Sequence, residues 1–531
     1  MNKKSIILIL ILISIISIGF KLYFIDFSIP VHSDDLTYAL RAMAHSEGDF
    51  SQSPRKGSGW PLFASIFFSG INSQNFLDYS NALRLMSIGI STMTILPMYG
   101  LTRKFFNEKY SIVGASLFAF EPHLNYNASY GFSEPLYIFL IVLTLFFILS
   151  KNYKYAFVSF AISGLVFWTR IEGFMIFFAI SIIYFINFRK TSNFIPKYFI
   201  SLLIFFLVIS PIFVIRAEQY GDPFYFYFSE HIFVDDQSDY GVSTATADNY
   251  VQEKGFSEFI YRFIIHGILQ TSQLIFAISF PYLIVLLPFG LFFSIRAYDH
   301  NNDLIKSNWV FIVSTLAIMI IPIAVISDRR FLFYLFPSLI IFSIIPIQRL
   351  IEYGLTTFSF TKRQKNYFLS GILILIIILS SFFIMRYDRV NVEYEYELIN
   401  FAEFLVKDID NKVIFDRTKL DQYVLFVQLN ENPDKFKNYK ISHDKKPYGT
   451  NFPYDIWNKL IQINGSSINE VIQNGKSLDG EFLIIFEQNN NFEFLDDVYY
   501  NEKNYPNLKK VFDSKEDNYQ YLSFKVFKIL N

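Results

Sequence analysis

The sequence predicts a polytopic α-helical membrane protein of about eleven transmembrane helices, followed by a small C-terminal α/β domain. Two observations carry that prediction. Hydrophobic residues make up 52% of the chain and charged residues only 18%, whereas a soluble chain carries roughly 25% charged residues. The long apolar runs then stop near residue 386, where Lys, Asp, Asn and Tyr rise and the apolar stretches shorten to strand length. A net charge of -1 gives no sign of a nucleic-acid partner. The absence of Cys excludes disulfides, thiol catalysis and thiolate metal sites together.

A spanning helix needs about 20 mostly apolar residues. Runs of that kind fall near 5–24, 81–101, 110–124, 132–150, 154–169, 173–188, 195–215, 271–295, 308–327, 331–348 and 367–385. The first follows Lys3-Lys4 and continues past Lys21 with no small-x-small cleavage site, so it reads as a retained helix rather than a signal peptide. With Lys3 and Lys4 in the cytoplasm, the loops holding Arg103-Lys104, Lys151, Arg189-Lys190, Arg296 and Lys362-Arg363 all fall on the cytoplasmic side. That obeys the positive-inside rule at each turn and leaves the C-terminal domain, 386–531, outside the cell membrane. Within that domain Glu397–Lys407 reads as an amphipathic helix. Lys412–Asp416, Phe482–Phe486 and Leu522–Phe527 read as strands.

Two outer loops of the membrane module, 1–385, are long. The first, 25–80, holds segments of helical period at Leu36–Met43 and Leu62–Phe68, suited to lie on the outer leaflet, with a turn-rich linker between them. The second, 216–270, starts aromatic and turns acidic, and reads as a lid over a site. Asn127-Ala128-Ser129 and Asn464-Gly465-Ser466 match the N-glycosylation acceptor pattern, a common chance match.

Ionisable residues collect at helix mouths on the outer side: Asp34-Asp35, Glu121-Pro122-His123, Glu134, Arg170 with Glu172, Asp222, and Asp328-Arg329-Arg330. Charges at a membrane edge are costly unless paired or hydrated, and they mark functional sites by default. Arg170, Arg329 and Arg330 also run against the charge bias of that side, so topology does not explain them.

Those residues carry a resemblance. Asp34-Asp35-Leu36-Thr37-Tyr38 in the first outer loop resembles the start of the GT-C glycosyltransferases, nearest to the protein O-mannosyltransferase and aminoarabinose lipid A transferase group. Phe132-Ser133-Glu134-Pro135, Gly164-Leu165 with Thr169-Arg170-Ile171-Glu172-Gly173, Gly221-Asp222-Pro223, and Arg330 with Pro337 follow in the family's order over about residues 5–350. The resemblance implies a polyprenyl-phosphate sugar donor, catalysis at the outer face and inversion at the sugar carbon. Two departures stand beside it. The mannosyltransferases commonly have Asp-Glu where this chain has Asp34-Asp35, which leaves the acceptor open among protein, lipid and glycan. The Trp-Trp-Asp-Tyr-Gly signature of the oligosaccharyltransferases does not occur.

The chemistry suits these residue types. A lipid-phosphate sugar has a good leaving group and needs a carboxylate to take the proton of the attacking hydroxyl. It also needs cations at the departing phosphate. Asp34 or Asp35 supplies the base. Arg170, Arg329, Arg330, Glu134, Glu172, His123, Asp222 and Tyr38 are the candidates for donor and substrate binding. No cofactor is called for; a divalent ion would need a ligand cluster, and the spacing of His32, Asp34, Asp35 and His123 fixes none.

Plainer roles stand beside each. Asp34-Asp35 suits a helix N-cap, Arg329-Arg330 suit snorkelling ends of a span, Glu134 suits a helix dipole, and His123 suits a local hydrogen bond. The leading function is a transferase moving one sugar from a polyprenyl phosphate to an extracytoplasmic acceptor. The competing one is a polytopic transporter or lipid flippase, which favours ionisable residues near the bilayer middle and broken helices in matching halves.

Overall fold

The computed structural model describes residues 2–31, 34–50, 57–224, 233, 247–296, 302–387, 389–409, 411–415, 420–431, 460–463, 465–487, 492–517 and 519–530. His32, Asn464, most of the aromatic-acidic stretch of the second outer loop and residues 51–56 lie outside these.

The first helix, α1 (Lys3–Leu22), starts at Asn2, whose side chain accepts from the Lys4 N–H. Two short helices of the first outer loop follow, α2 (Asp34–Ser46) and α3 (Gly59–Phe68). The helix run of residues 76–102 is α4 (Phe76–Met93) with α5 (Ile95–Thr102). Then come α6 (Glu108–Ala119), α7 (Pro122–Tyr130), α8 (Glu134–Ile148), α9 (Tyr153–Thr169), α10 (Gly173–Phe188) and α11 (Phe194–Tyr220). From residue 247 onward the second outer loop is largely helical. It contains α12 (Ala247–Lys254) and α13 (Phe256–Phe259), the latter continuing through a π turn into α14 (His266–Ile278). The last membrane elements are α15 (Leu283–Arg296), α16 (Asn302–Val325), a 3-10 turn at Arg329–Leu335 leading into α17 (Phe336–Arg349), α18 (Leu355–Thr357) and α19 (Lys362–Ile384).

Every apolar run of the sequence is helical, and the protein is a multi-pass membrane protein. Fewer of these helices are of spanning length than the eleven runs suggest. Among the described residues six helices are long and apolar enough to cross a membrane, or seven with one bent pair taken as a single span. The runs at 110–124, 132–150, 154–169 and 173–188 become helices of 12, 15, 17 and 16 residues. At 1.5 Å per residue these reach about 18–26 Å, short of a ~30 Å hydrocarbon core. They pack inside the bundle, where Ala156, Ile176, Ile141 and Val142 are fully buried. The run at 271–295 breaks between α14 and α15 with a bend of 115°. Pro281 stands at the break; it lacks an N–H and disfavours helix in the residue before it.

The C-terminal domain begins with α20 (Val392–Lys407) and contains α21 (Leu420–Glu431), α22 (Ile468–Ser477) and α23 (Glu493–Tyr500). Among the described residues its sheet has five strands: β1 (Lys412–Phe415), β2 (Leu460–Gln462), β3 (Gly480–Phe486), β4 (Leu508–Asp513) and β5 (Phe524–Ile529). The order is β2-β1-β3-β5-β4. β1 runs parallel to β2 and β3, and β5 runs antiparallel to β3 and β4. The three strands expected from the sequence are β1, β3 and β5. β2 has three residues and β4 carries Lys509-Lys510, so neither shows an apolar run.

This domain sits at the end of the bundle that holds α2. The Phe76 N–H at the start of α4 donates to Asn430 Oδ1 of α21 at 2.9 Å. Arg389 donates to the Tyr23 carbonyl at 2.8 Å, beside the end of α1.

Candidate active site

α2 forms because its apolar positions, Leu36, Ala39 and Leu40, recur at helical spacing and bury against α3 and α4. The two acids lie in its first turn, where negative charge complements the helix dipole. Neighbours on a helix point about 100° apart, and that separation sends the pair into different surroundings. The Asp34 side chain is 30% exposed, and its Oδ2 lies 3.3 Å from Arg330 Nη1. Asp35 is 1% exposed, and neither of its carboxylate oxygens has a hydrogen-bond partner. Burial pushes the Asp35 carboxyl well above the usual carboxylate range. The negative charges of Asp34 and Glu134 add to that push, and Arg84 and Arg330 oppose it.

Glu134 opens α8 and is 1% exposed. Its Oε1 accepts from Arg170 Nη1 at 2.6 Å and lies 3.9 Å from Arg330 Nη1. Arg170 follows the last residue of α9 in extended backbone and donates its second nitrogen to Glu172 Oε1 at 2.9 Å. Arg330 donates through Nε to Asp328 Oδ2 at 2.7 Å. The result is a continuous charge chain, Asp34–Arg330–Glu134–Arg170–Glu172, with Asp328 branching from Arg330. The rings of Tyr137 and Phe331 flank the Arg170 guanidinium at 5.7 and 5.4 Å, and Phe132 lies under Arg330 at 4.9 Å. The half-buried Tyr38, one helical turn after Asp34, places its hydroxyl 3.5 Å from Ser133 Oγ. Burial raises the Tyr38 hydroxyl far above its ordinary value, so it stays neutral.

Two glycines bring these elements close. Gly131 ends α7 with φ 92°, a left-handed conformation open to glycine, and turns the chain into Phe132–Glu134. Its carbonyl accepts from Trp60 Nε1 at 2.9 Å. At Gly59 an added Cβ would lie 2.8 Å from the Thr169 backbone nitrogen, so α3 presses on the end of α9 immediately before Arg170.

The remaining candidates lie apart. His123 is buried and its Nδ1 is 2.8 Å from Glu121 Oε1. The other Glu121 oxygen accepts from the Leu124 N–H and caps α7. The rings of Phe333, Phe336, Phe383 and Tyr387 surround the imidazole. Arg329 is exposed and its charge reaches Tyr387. Asp222 is exposed beyond the end of α11, where its Oδ1 accepts from the Phe224 N–H. The structure records no contact of Asp222 with the charge chain. Asn127 of the first glycosylation pattern is buried in α7. Among the described residues no three His, Cys, Asp or Glu side chains gather as a metal ion requires.

Arg84 of α4 is a functional neighbour that the sequence reading misses. It is buried and donates to the carbonyls of Asp26 at 3.0 Å and Ile29 at 2.6 Å. These bonds anchor the chain as it enters α2, and the guanidinium faces Asp35 electrostatically. A lone cation inside an apolar run was the available signal.

Comparison with known proteins gives the fold a name. Residues 65–215 match the family model described as dolichyl-phosphate-mannose-protein mannosyltransferase. That match includes Arg84, Glu134, Arg170 and Glu172 and ends before Arg329-Arg330. No curated protein sequence matches. The apo oligosaccharyltransferase of Archaeoglobus fulgidus superposes with a TM-score of 0.59 at 11% identity, over 91% of this chain and 70% of that one. The oligosaccharyltransferase AglB from Archaeoglobus fulgidus, in complex with an inhibitory peptide and a dolichol-phosphate, superposes with a TM-score of 0.56 at 12% identity, over 91% and 69%. ArnT from Cupriavidus metallidurans, bound to undecaprenyl phosphate, has a TM-score of 0.48 at 12% identity, over 99% and 98%. The chain has the GT-C fold of membrane glycosyltransferases, with a small sheet domain after the last helix.

Proposed function

We propose that the protein is an inverting glycosyltransferase that moves a single sugar from a polyprenyl phosphate, dolichyl or undecaprenyl, to a hydroxyl of an extracytoplasmic protein, lipid or glycan. The observation that carries the reading is the split environment of the adjacent acids. Asp34 is partly exposed and paired with Arg330, whereas Asp35 is sealed from solvent and disfavoured as an anion. Neighbouring carboxyls placed in such different surroundings suit different roles. Asp34 is the base: it takes the proton of the acceptor hydroxyl as that oxygen bonds to the sugar C1, while the C1–O bond to phosphate breaks on the opposite side.

The two arginines of the 3-10 turn divide the work at the phosphate. Arg330 is 32% exposed and bridges Asp34 to Glu134, so it ties the base to the departing group. Arg329 is exposed and has no ion pair among the described residues, and we assign its charge to the lipid phosphate. Arg170 already answers two carboxylates and acts as a positioning residue for Glu134. Support for the donor class comes from the family pattern over residues 65–215 and the dolichol-phosphate complex of the shared fold. The outer-face orientation and the extracytoplasmic placement of 386–531 follow from the positive-inside reading.

A flippase would be expected to repeat a broken helix in matching halves, and one bent pair is found among the described residues. The test uses purified protein in lipid with a radiolabelled polyprenyl-phosphate hexose and total membrane extract as acceptor. Loss of sugar from the lipid supports the transferase. Intact donor together with movement of the lipid between leaflets would favour the flippase.

A further inference from the structure

A cavity lined by charged side chains lies at the opposite end of the bundle. It has a volume of about 510 Å³ and is lined by the loop after α5, the start of α6, the segment after α17 and the start of α19. The elements themselves show that it is remote from the acids. Arg84, beside Asp35, and Arg103, in the cavity, are separated by about 28 Å of helix at 1.5 Å per residue. From the cavity α6 runs to Glu121, α17 runs back to the turn of Arg330, and α19 runs to Tyr387.

The lining carries Arg103, Lys109, Lys362 and Lys365 against Glu108 and Glu352, four cations against two acids and so an excess of two positive charges. The cations are held by neutral oxygens. Arg103 donates to the Phe106 carbonyl at 2.7 Å, Lys109 to Asn366 Oδ1 at 2.6 Å and Lys365 to Thr356 Oγ1 at 2.6 Å. No ion pair is recorded for any of the four among the described residues. Glu352 accepts from Gln348 Nε2 at 3.2 Å and from the Tyr110 hydroxyl. The two helix starts are already capped, by Asn107 and by the Thr361–Gln364 capping box. The attraction for an anion therefore comes from side chains. Ile351 and Leu369 add an apolar wall, as a ligand with a lipid tail would require.

A row of basic residues at a membrane edge is what topology alone demands. Topology does not demand that they converge on a cavity of ligand size, roughly 300–1,000 Å³, with an excess of positive charge in its lining. We propose that this cavity binds a phosphate group, either the headgroup phosphate of an acidic lipid in the leaflet away from the carboxylates or free inorganic phosphate. Basic pockets between membrane helices recognise acidic headgroups by this chemistry.

The test is native mass spectrometry of the delipidated full-length protein titrated with phosphatidylglycerol, phosphatidylcholine or inorganic phosphate. The wild type is expected to bind phosphatidylglycerol at least tenfold more tightly than phosphatidylcholine. The triple variant K109Q/K362Q/K365Q should weaken that binding on the order of 100-fold. E352Q removes a negative charge and should tighten it, an opposite change that misfolding cannot imitate. If inorganic phosphate binds with the same variant dependence and the lipid does not, the site is a phosphate site with a soluble source. Binding of both probes that the triple variant leaves unchanged would overturn the proposal. So would an equal loss in K151Q/K154Q/K190Q, whose exposed lysines sit at the same end of the bundle outside the cavity.

Discussion

Replacing Arg170 with Met should strand a buried charge. Met keeps most of the stem packing between Tyr137 and Phe331 while removing both guanidinium bonds, to Glu134 at 2.6 Å and Glu172 at 2.9 Å. Each charge-assisted bond contributes about 1.5–3 kcal/mol. Leaving one partner of a buried pair uncompensated costs about 3–5 kcal/mol. Glu134 Oε2 has no partner already, so its nearest cation would become Arg330, at 3.9 Å. We expect R170M to lose about 3–5 kcal/mol in denaturant unfolding followed by tryptophan fluorescence in detergent. The double variant R170M/E134Q should recover about half of that, because the stranded charge is gone. In the single variant Glu134 also competes with Asp34 for Arg330, so kcat should fall as well. R170M within about 0.5 kcal/mol of wild type, or a double variant less stable than R170M by the full cost of E134Q alone, would refute the coupled-pair reasoning.

Other outcomes follow from single contacts. Asp35 has a raised folded-state value, so its burial destabilises the protein progressively as pH rises through and above the unfolded carboxylate pKa, about 3.9. D35N removes that penalty: its melting temperature should match wild type near pH 4 and exceed it at pH 7, and a constant difference across that range would contradict the assignment. At Gly59→Ala the new Cβ meets the Thr169 backbone, so α3 must move away from Arg170. A stability loss of about 1–3 kcal/mol with lowered kcat is expected, and unchanged kinetics would show that the close approach does not position the site. R329Q should raise KM for the lipid donor and flatten the dependence of KM on salt, since an exposed cation acts through screened attraction; a change confined to kcat would place Arg329 elsewhere in the reaction. Arg84→Met loses the bonds to the Asp26 and Ile29 carbonyls and should destabilise by about 3 kcal/mol in the same unfolding assay.

The fold was legible because lipid demands long apolar helices, and each such run stands out against a sparsely charged background. Span lengths were less legible. The runs read for α6 and α8 absorb the polar turns at Glu121 and Ser133, which the helices leave out. At the site, Asp34-Asp35, Glu134, Arg170-Glu172 and Arg330 were visible as charges placed where bare hydrocarbon forbids them. The structure brings five of these together. The division between Asp34 and Asp35 was not visible, because a helix face is chosen by tertiary packing and a one-residue step reverses exposure. Arg84 was overlooked although a cation in an apolar run is costly, and its carbonyl partners at Asp26 and Ile29 lie more than fifty residues away in sequence. The pairing of His123 with Glu121 is local and equally consistent with the plainer role. Residues 225–232 and 234–246 of the expected lid lie outside the described residues, and its C-terminal part is helical.

The most direct measurement compares Asp34→Asn with Asp35→Asn for release of hexose from the radiolabelled polyprenyl phosphate, in lipid at pH 7. Asp34 as the base predicts a loss of about 10²–10⁴-fold in D34N, with D35N turning over near the wild-type rate. Equal rates in D34N and wild type, or loss in D35N alone, would contradict the account.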